Sequence, residues 1–176
     1  MARGRFIGLT MALLGALAPA TRAQDQRLDA ETLRGRDRTA LLDVRTVLMA
    51  QKLFAARNGG YFGPFECLTK PEACLADFPK DEAPFLDPTH DWLATRLGYA
   101  RSFQLGPKVP DDELSPAGAI PGSVRAFVFT VTPVVAGETG LRAFCGDAGG
   151  KICFTADGSP PGVRDGRCVP PCKELK

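Results

Sequence analysis

The 176 residues carry 44% hydrophobic, 24% charged and 8% aromatic side chains, with 19 Gly, 15 Pro and 6 Cys. That is the make-up of an ordinary globular domain, not of a disordered, collagen-like or polytopic chain. The formal charge of +2 turns on amino-terminal arginines: without Arg3, Arg5 and Arg22 the chain has 19 basic against 20 acidic residues, a net charge of −1, which argues against nucleic acid as a partner.

Arg3 and Arg5 precede an apolar stretch of 13 residues from Phe6 to Ala18, and Ala18-Pro19-Ala20 or Thr21-Arg22-Ala23 offers small residues for cleavage. This pattern predicts a secretory signal peptide over residues 1–23, followed by one domain over 24–176. The stretch is shorter than the roughly 20 apolar residues that span a bilayer. No stable membrane insertion is therefore expected after cleavage, and the expected location is periplasmic or secreted.

From Asp29 to Arg57 the pattern is helical, with Leu33, Leu41, Val44, Leu48 and Ala55 forming a stripe that Ala40, Val47 and Phe54 widen. Arg34, Arg36, Asp37, Arg38, Arg45 and Lys52 read as the wet face. Asn58-Gly59-Gly60 ends the helix, because Asn and Gly tolerate the left-handed backbone of a C-cap. Tyr61 to Pro88 is too rich in proline for long regular elements and reads as a loop stapled through Cys67 and Cys74. Thr89 to Arg96 is expected to be a short helix with Trp92 and Leu93 facing inward.

The period then changes to two. Tyr99, Arg101, Phe103 and Leu105 alternate with Ala100, Ser102 and Gln104 as a half-buried strand. Gly106 to Gly122 reads as a mobile excursion rich in Pro, Gly and acids. Arg125 to Val135 is the best strand in the chain, with Phe127, Phe129 and Val131 on one face and Val128, Thr130 and Thr132 on the other. Gly140–Cys145 and Lys151–Thr155 flank a glycine-rich reversal and predict a hairpin. After Asp157-Gly158 the tail through Lys176 is turn-rich. A long helix followed by about four antiparallel strands gives a two-layer α+β domain.

The cysteines Cys67, Cys74, Cys145, Cys153, Cys168 and Cys172 are even in number and all lie beyond the signal segment, as an oxidising compartment requires. The simplest arrangement is local, pairing Cys67 with Cys74, Cys145 with Cys153, and Cys168 with Cys172. The alternative ties Cys168 or Cys172 back to Cys153 or Cys145. No metal site is expected, since neither later pair has the two-residue spacing common at structural zinc and the one histidine, His90, is far away in sequence.

Nothing in the sequence offers a catalytic residue or a cofactor site. His90 beside Asp91 reads as a helix-start residue. Asp147 and Asp157 read as turn residues rather than calcium ligands. Asp111-Asp112-Glu113 reads as a solvated loop, Arg34, Arg36 and Arg38 as a wet helix face, and Phe127, Phe129 and Phe144 as core. Serine hydrolase chemistry is not expected, for want of a Gly-x-Ser-x-Gly elbow.

One resemblance runs through the order of short motifs. Ala50-Gln51-Lys52-Leu53-Phe54-Ala55-Ala56-Arg57-Asn58-Gly59-Gly60-Tyr61 is followed by Leu86-Asp87-Pro88, Gly98-Tyr99 and Val131-Thr132-Pro133-Val134 with Gly137 and Gly140. Arg142-Ala143-Phe144-Cys145-Gly146-Asp147 and Gly149-Gly150-Lys151-Ile152 complete it. Over roughly Thr39 to Asp157 this resembles the globular part of type IV pilins and type II secretion pseudopilins. The resemblance implies a pilin-like fold, one long N-terminal helix packed on an antiparallel sheet. It departs from the family at the start, where a Gly-Phe-Thr-Leu-Ile-Glu type cleavage motif and a long apolar helix are missing, and the charged run Arg34 to Arg38 does not suit a filament core. The expectation is a soluble, exported, non-enzymatic pilin-like domain with protein partners in the cell envelope, acting in interaction or assembly beside a pilus or type II secretion machine. The alternative is a binding module for a small molecule, glycan or envelope component that uses the 106–122 loop.

Overall fold

The computed structural model describes residues 18–175, so the first 17 residues of the expected signal peptide lie outside the described residues. Helix α1 runs over Ala18–Arg57. It begins before the expected Asp29 and continues through Gly35 without a break. The chain divides into two units between Glu31 and Thr32. The second unit, from Thr32 onward, holds the remainder of α1 and every strand among the described residues.

Steps of three and four residues put Asp37, Ala40, Val44, Val47, Gln51, Phe54 and Asn58 on one face of α1, and all seven are buried. Asp37 is fully buried, which corrects its assignment to the wet face. The helix stops where expected. Gly59 takes a positive φ of 59°, and Gly60 donates its amide to the Ala55 carbonyl at 2.9 Å, closing the last turn.

The loop after α1 contains a single helical turn, α2 (Glu66–Thr69), and a 3₁₀ turn at Pro71–Ala73, tied by the expected Cys67–Cys74 disulfide. The expected helix over Thr89–Arg96 is replaced by successive turns. Its amides are taken locally: the Asp91 carboxylate accepts from Leu93 and Ala94, and the Asp87 carboxylate from Thr89. Trp92 is half-buried against the core, but Leu93 is exposed, not inward.

The strands are β1 (Tyr99–Leu105), β2 (Phe127–Pro133), β3 (Ala143–Asp147), β4 (Ile152–Thr155), β5 (Gly162–Arg164), β6 (Arg167–Val169) and β7 (Lys173–Glu174). Five of them form one antiparallel sheet in the order β1-β2-β3-β4-β7, one strand more than expected because the tail returns to add β7. β5 and β6 make a separate hairpin. The architecture is thus α+β, with a long helix on an antiparallel sheet. Phe127, Phe129, Val131 and Phe144 bury against α1. Gly146 is what lets the layers meet, since a Cβ there would collide with Leu48 and stand 2.6 Å from a Val44 methyl carbon.

The segment 106–122 is not a free excursion. It contains α3 (Asp111–Ala117), buries Val109 and Leu114, and is held by Asn58, whose side chain accepts from Ile120 N and donates to Ser123 Oγ.

Two expected disulfides are corrected. Cys145 bonds Cys168 and Cys153 bonds Cys172, with Cα separations of 6.0 and 5.5 Å. The ladder explains this. Asp147 N donates to Lys151 O, so Cys145 and Cys153, two residues further along β3 and β4, form a hydrogen-bonded pair directly opposite each other. Side chains at such a pair stand parallel with Cβ atoms about 5.5 Å apart, beyond the roughly 3.5–4.5 Å that a disulfide spans. Both cysteines instead point off the back of the sheet, where the tail crosses. With Val128 they form a second small core on the face away from α1, which is why β2 is buried on both sides.

Candidate functional site

The outer face of α1 is the first candidate. Leu42, Met49 and Leu53 are 56%, 58% and 50% exposed. Their spacing of seven and then four residues aligns them on one stripe, about half a turn of the wheel from the buried Val44 and Gln51. Arg38, Arg45 and Lys52, seven residues apart, run beside the stripe and are exposed. None of the three belongs to an ion pair among the described residues. The face expected to be merely wet is therefore apolar along its centre and cationic along one margin. The charges were visible in the sequence, but Leu42, Met49 and Leu53 were hidden by the stronger stripe that packs inward.

Two buried acids on the same helix tie it to the sheet and to the turns beside it. The Asp37 carboxylate accepts from the Tyr99 hydroxyl at 2.5 Å, Leu141 N at 2.9 Å and Arg142 Nε at 2.9 Å. Burial, and then the Asp37 carboxylate, hold the Tyr99 phenol well above the ordinary tyrosine range. Asp43 accepts from Arg101 Nη2 at 2.5 Å and from Arg96 Nη2 at 3.0 Å. Arg101 also donates Nε to Asp43 at 3.1 Å and spends Nη1 on the carbonyls of Ala94, Arg96 and Tyr99. Both carboxylates are thus fully engaged, while Arg96 Nε is buried without a hydrogen-bond partner. The structural role of Asp37 was not visible in a sequence where it read as part of the wet face, and Asp43 carried no signal of its own there.

Two of the clefts among the described residues border segments singled out above. One, of about 500 Å³, lies between Cys74–Phe78 and Gly118–Pro121, with Arg57 at its wall. The carboxyl end of the 106–122 loop forms one side of it. Arg57 is occupied, lying 5.2 Å over the Phe78 ring and paired with Glu82 at 2.6 Å. The second, of about 440 Å³, is lined by Phe65, Glu66, His90 and Trp92 among others. There His90 packs edge-on to Trp92 at 4.7 Å, while Asp91 is engaged with the Leu93 and Ala94 amides and not with His90. The Thr89 hydroxyl and amide hold the Asp87 carboxyl below its usual range.

The remaining expected residues fall in separate places. Asp157 accepts from Ser159 N and Oγ, a turn arrangement that lowers its pKa. Asp147 does more than shape its turn: one oxygen accepts from Gly149 N and the other from Cys168 N, so it also pins the tail. Asp111, Asp112 and Glu113 open α3, and Glu113 pairs with Arg125. Phe127, Phe129 and Phe144 are core. The sulfurs of Cys145, Cys153 and Cys168 lie within 4.8 Å of one another, but each is consumed in a disulfide.

No family description, characterised protein or solved structure matches the chain in comparisons of all three kinds. Among the described residues no helix is long and apolar enough to cross a membrane. Three disulfides are the mark of an oxidising compartment outside the cytoplasm.

Proposed function

We propose that this chain is an exported, periplasmic or secreted, non-enzymatic domain. It keeps a pilin-like plan and acts in interaction or assembly in the cell envelope, beside a pilus or type II secretion machine. The observation that carries this reading is the outer face of α1, whose apolar stripe at Leu42, Met49 and Leu53 is bordered by Arg38, Arg45 and Lys52. Such a face suits a partner helix with its own apolar stripe and an acidic margin, the helix-in-groove chemistry of apolar anchors at helical spacing with flanking charges for register. The order of one long helix and an antiparallel sheet supports the pilin resemblance.

The test is capture from envelope extracts, with Leu42→Asp/Met49→Asp as the comparison. Pilus or secretion components should co-purify with the parent protein and be lost from the variant, whose circular dichroism and melting temperature should stay unchanged because both side chains are exposed. Reproducible absence of such components from the parent capture overturns the reading. A second reading rests on the cleft at Gly118–Pro121, which is large enough for a small molecule or part of a glycan. It predicts ligand-induced chemical-shift changes confined to Leu75–Phe78 and Gly118–Pro121.

A further inference from the structure

The two edges of the sheet are built differently. The β7 edge is two residues long, both charged and exposed, and Lys151 pairs with Glu174 across it. Short, charged edges resist pairing with another strand. The β1 edge is seven residues long and lacks such guards: Ala100, Ser102 and Gln104 on its back face are exposed and uncharged, and the run contains no proline. The one cation in β1, Arg101, is buried and committed to Asp43.

The phase of the β1–β2 ladder shows which groups this edge offers. Val134 N donates to Gly98 O at 2.9 Å and Gly106 N to Ala126 O at 2.8 Å, in the same register as the strand pairs between them. Even-numbered residues of β1 therefore exchange hydrogen bonds with β2. The amides and carbonyls of Tyr99, Arg101, Phe103 and Leu105 point the other way. Those of Tyr99 are used by Arg96, in two bonds of 3.0 Å. From Arg101 to Leu105 no strand or bridge of the described residues pairs with the edge.

We propose that a second copy of this chain fills it, β1 pairing antiparallel with β1 about a two-fold axis at Phe103 to join the two five-stranded sheets. The register is set by the ends of the free stretch. With the axis at Phe103, Arg101 faces the Leu105 of the other copy and Phe103 faces its equivalent, so all three open residues are paired in each chain. Sliding one copy by two residues toward the carboxyl end sets Pro107, which has no N–H, in the ladder. Sliding it the other way meets Arg96 on Tyr99.

The chemistry of the faces argues for self-pairing rather than for a foreign strand. On the back, each Ser102 stands opposite the Gln104 of the other copy, a hydroxyl against an amide, and no like charges meet. On the front, Leu105, 46% exposed in the single chain, gains the diagonal Phe103 of the other copy as cover. A two-fold contact of this kind is closed and stops at two copies, since the β7 edges left outside are guarded.

Sedimentation of the purified protein over a range of concentrations tests the proposal. The parent should show a concentration-dependent dimer. Ser102→Lys/Gln104→Lys creates two like-charged cross-strand pairs per dimer and should weaken association about tenfold at low salt. Ser102→Lys/Gln104→Glu sets each new lysine opposite a glutamate of the other copy and should return association to near the parent's. All three proteins should have the same circular dichroism, because both positions are exposed and their ladder bonds to β2 are backbone. A parent that stays monomeric at every concentration overturns the proposal. So does a dimer indifferent to Ser102→Lys/Gln104→Lys, or one that both double variants weaken equally.

Discussion

Asp37 shows how much one side chain can carry. Its carboxylate gathers four donors from two segments far along the chain: the Tyr99 hydroxyl of β1, and Leu141 N, Arg142 N and Arg142 Nε on the approach to β3. Replacing it with alanine leaves the Leu141 amide without its acceptor, the buried Tyr99 hydroxyl with the Arg142 carbonyl alone, and the Arg142 guanidinium without its partner. We expect Asp37→Ala to cost about 3 kcal/mol, read as a lower denaturation midpoint at an unchanged slope. Asp37→Asn, which keeps an acceptor oxygen, should cost less. Tyr99 gives a pH dependence. Its folded-state pKa is raised, so its contribution is fully present below the ordinary tyrosine value of about 10 and is lost as pH rises through that region toward the folded value. Denaturation of the parent and of Tyr99→Phe should therefore give stabilities that converge above about pH 10, since the phenylalanine variant has no such proton to lose. Parallel curves up to the most alkaline pH would show that burial does not hold this proton.

At the scale of elements, what could be read from the chain depended on whether a signal lay in one pattern or in the superposition of two. The buried stripe of α1, its stop at Asn58-Gly59-Gly60 and the alternation in β1 and β2 each stand alone in the sequence, and each is where the spacing places it. Two kinds of element escaped. The helix carries a second apolar stripe, Leu42, Met49 and Leu53, and its polar positions are shared between a wet margin and a buried network. Composition cannot tell Asp37 from Arg38, because only the position of Tyr99 and Arg142 in space makes one of them interior. The cysteines failed for a related reason. Nearness in sequence favours Cys145 with Cys153, but ladder phase sets their side chains parallel, and phase depends on which residue of the glycine-rich reversal turns the chain. The same limit covers Thr89–Arg96, where Asp87 and Asp91 take amides that a helix would have used.

In the unit from Thr32 onward the sheet is covered by its two flanks, the Thr32–Arg57 part of α1 on the front and the residues after Thr155 on the back. The front is held by a broad apolar core and the Asp37 and Asp43 networks. The back core is small: Val128, Cys145, Cys153 and Cys168 are its buried members, and two disulfides clamp it. The layers should therefore differ in what sustains them. A Cys153→Ser/Cys172→Ser variant loses a crosslink between residues 19 apart, worth about 3 kcal/mol in the chain-entropy view. It also frees β7, while Cys145–Cys168 and Asp147 still hold the first part of the tail. Hydrogen exchange should then show faster exchange over 170–175 and at the outer edge of β4, with α1, β1 and β2 as protected as in the parent. Removing Cys145 and Cys168 as well should expose Val128 and spread the loss of protection into β2 and β3. Uniform loss of protection across both layers in the first variant would mean that the front core does not stand without the back.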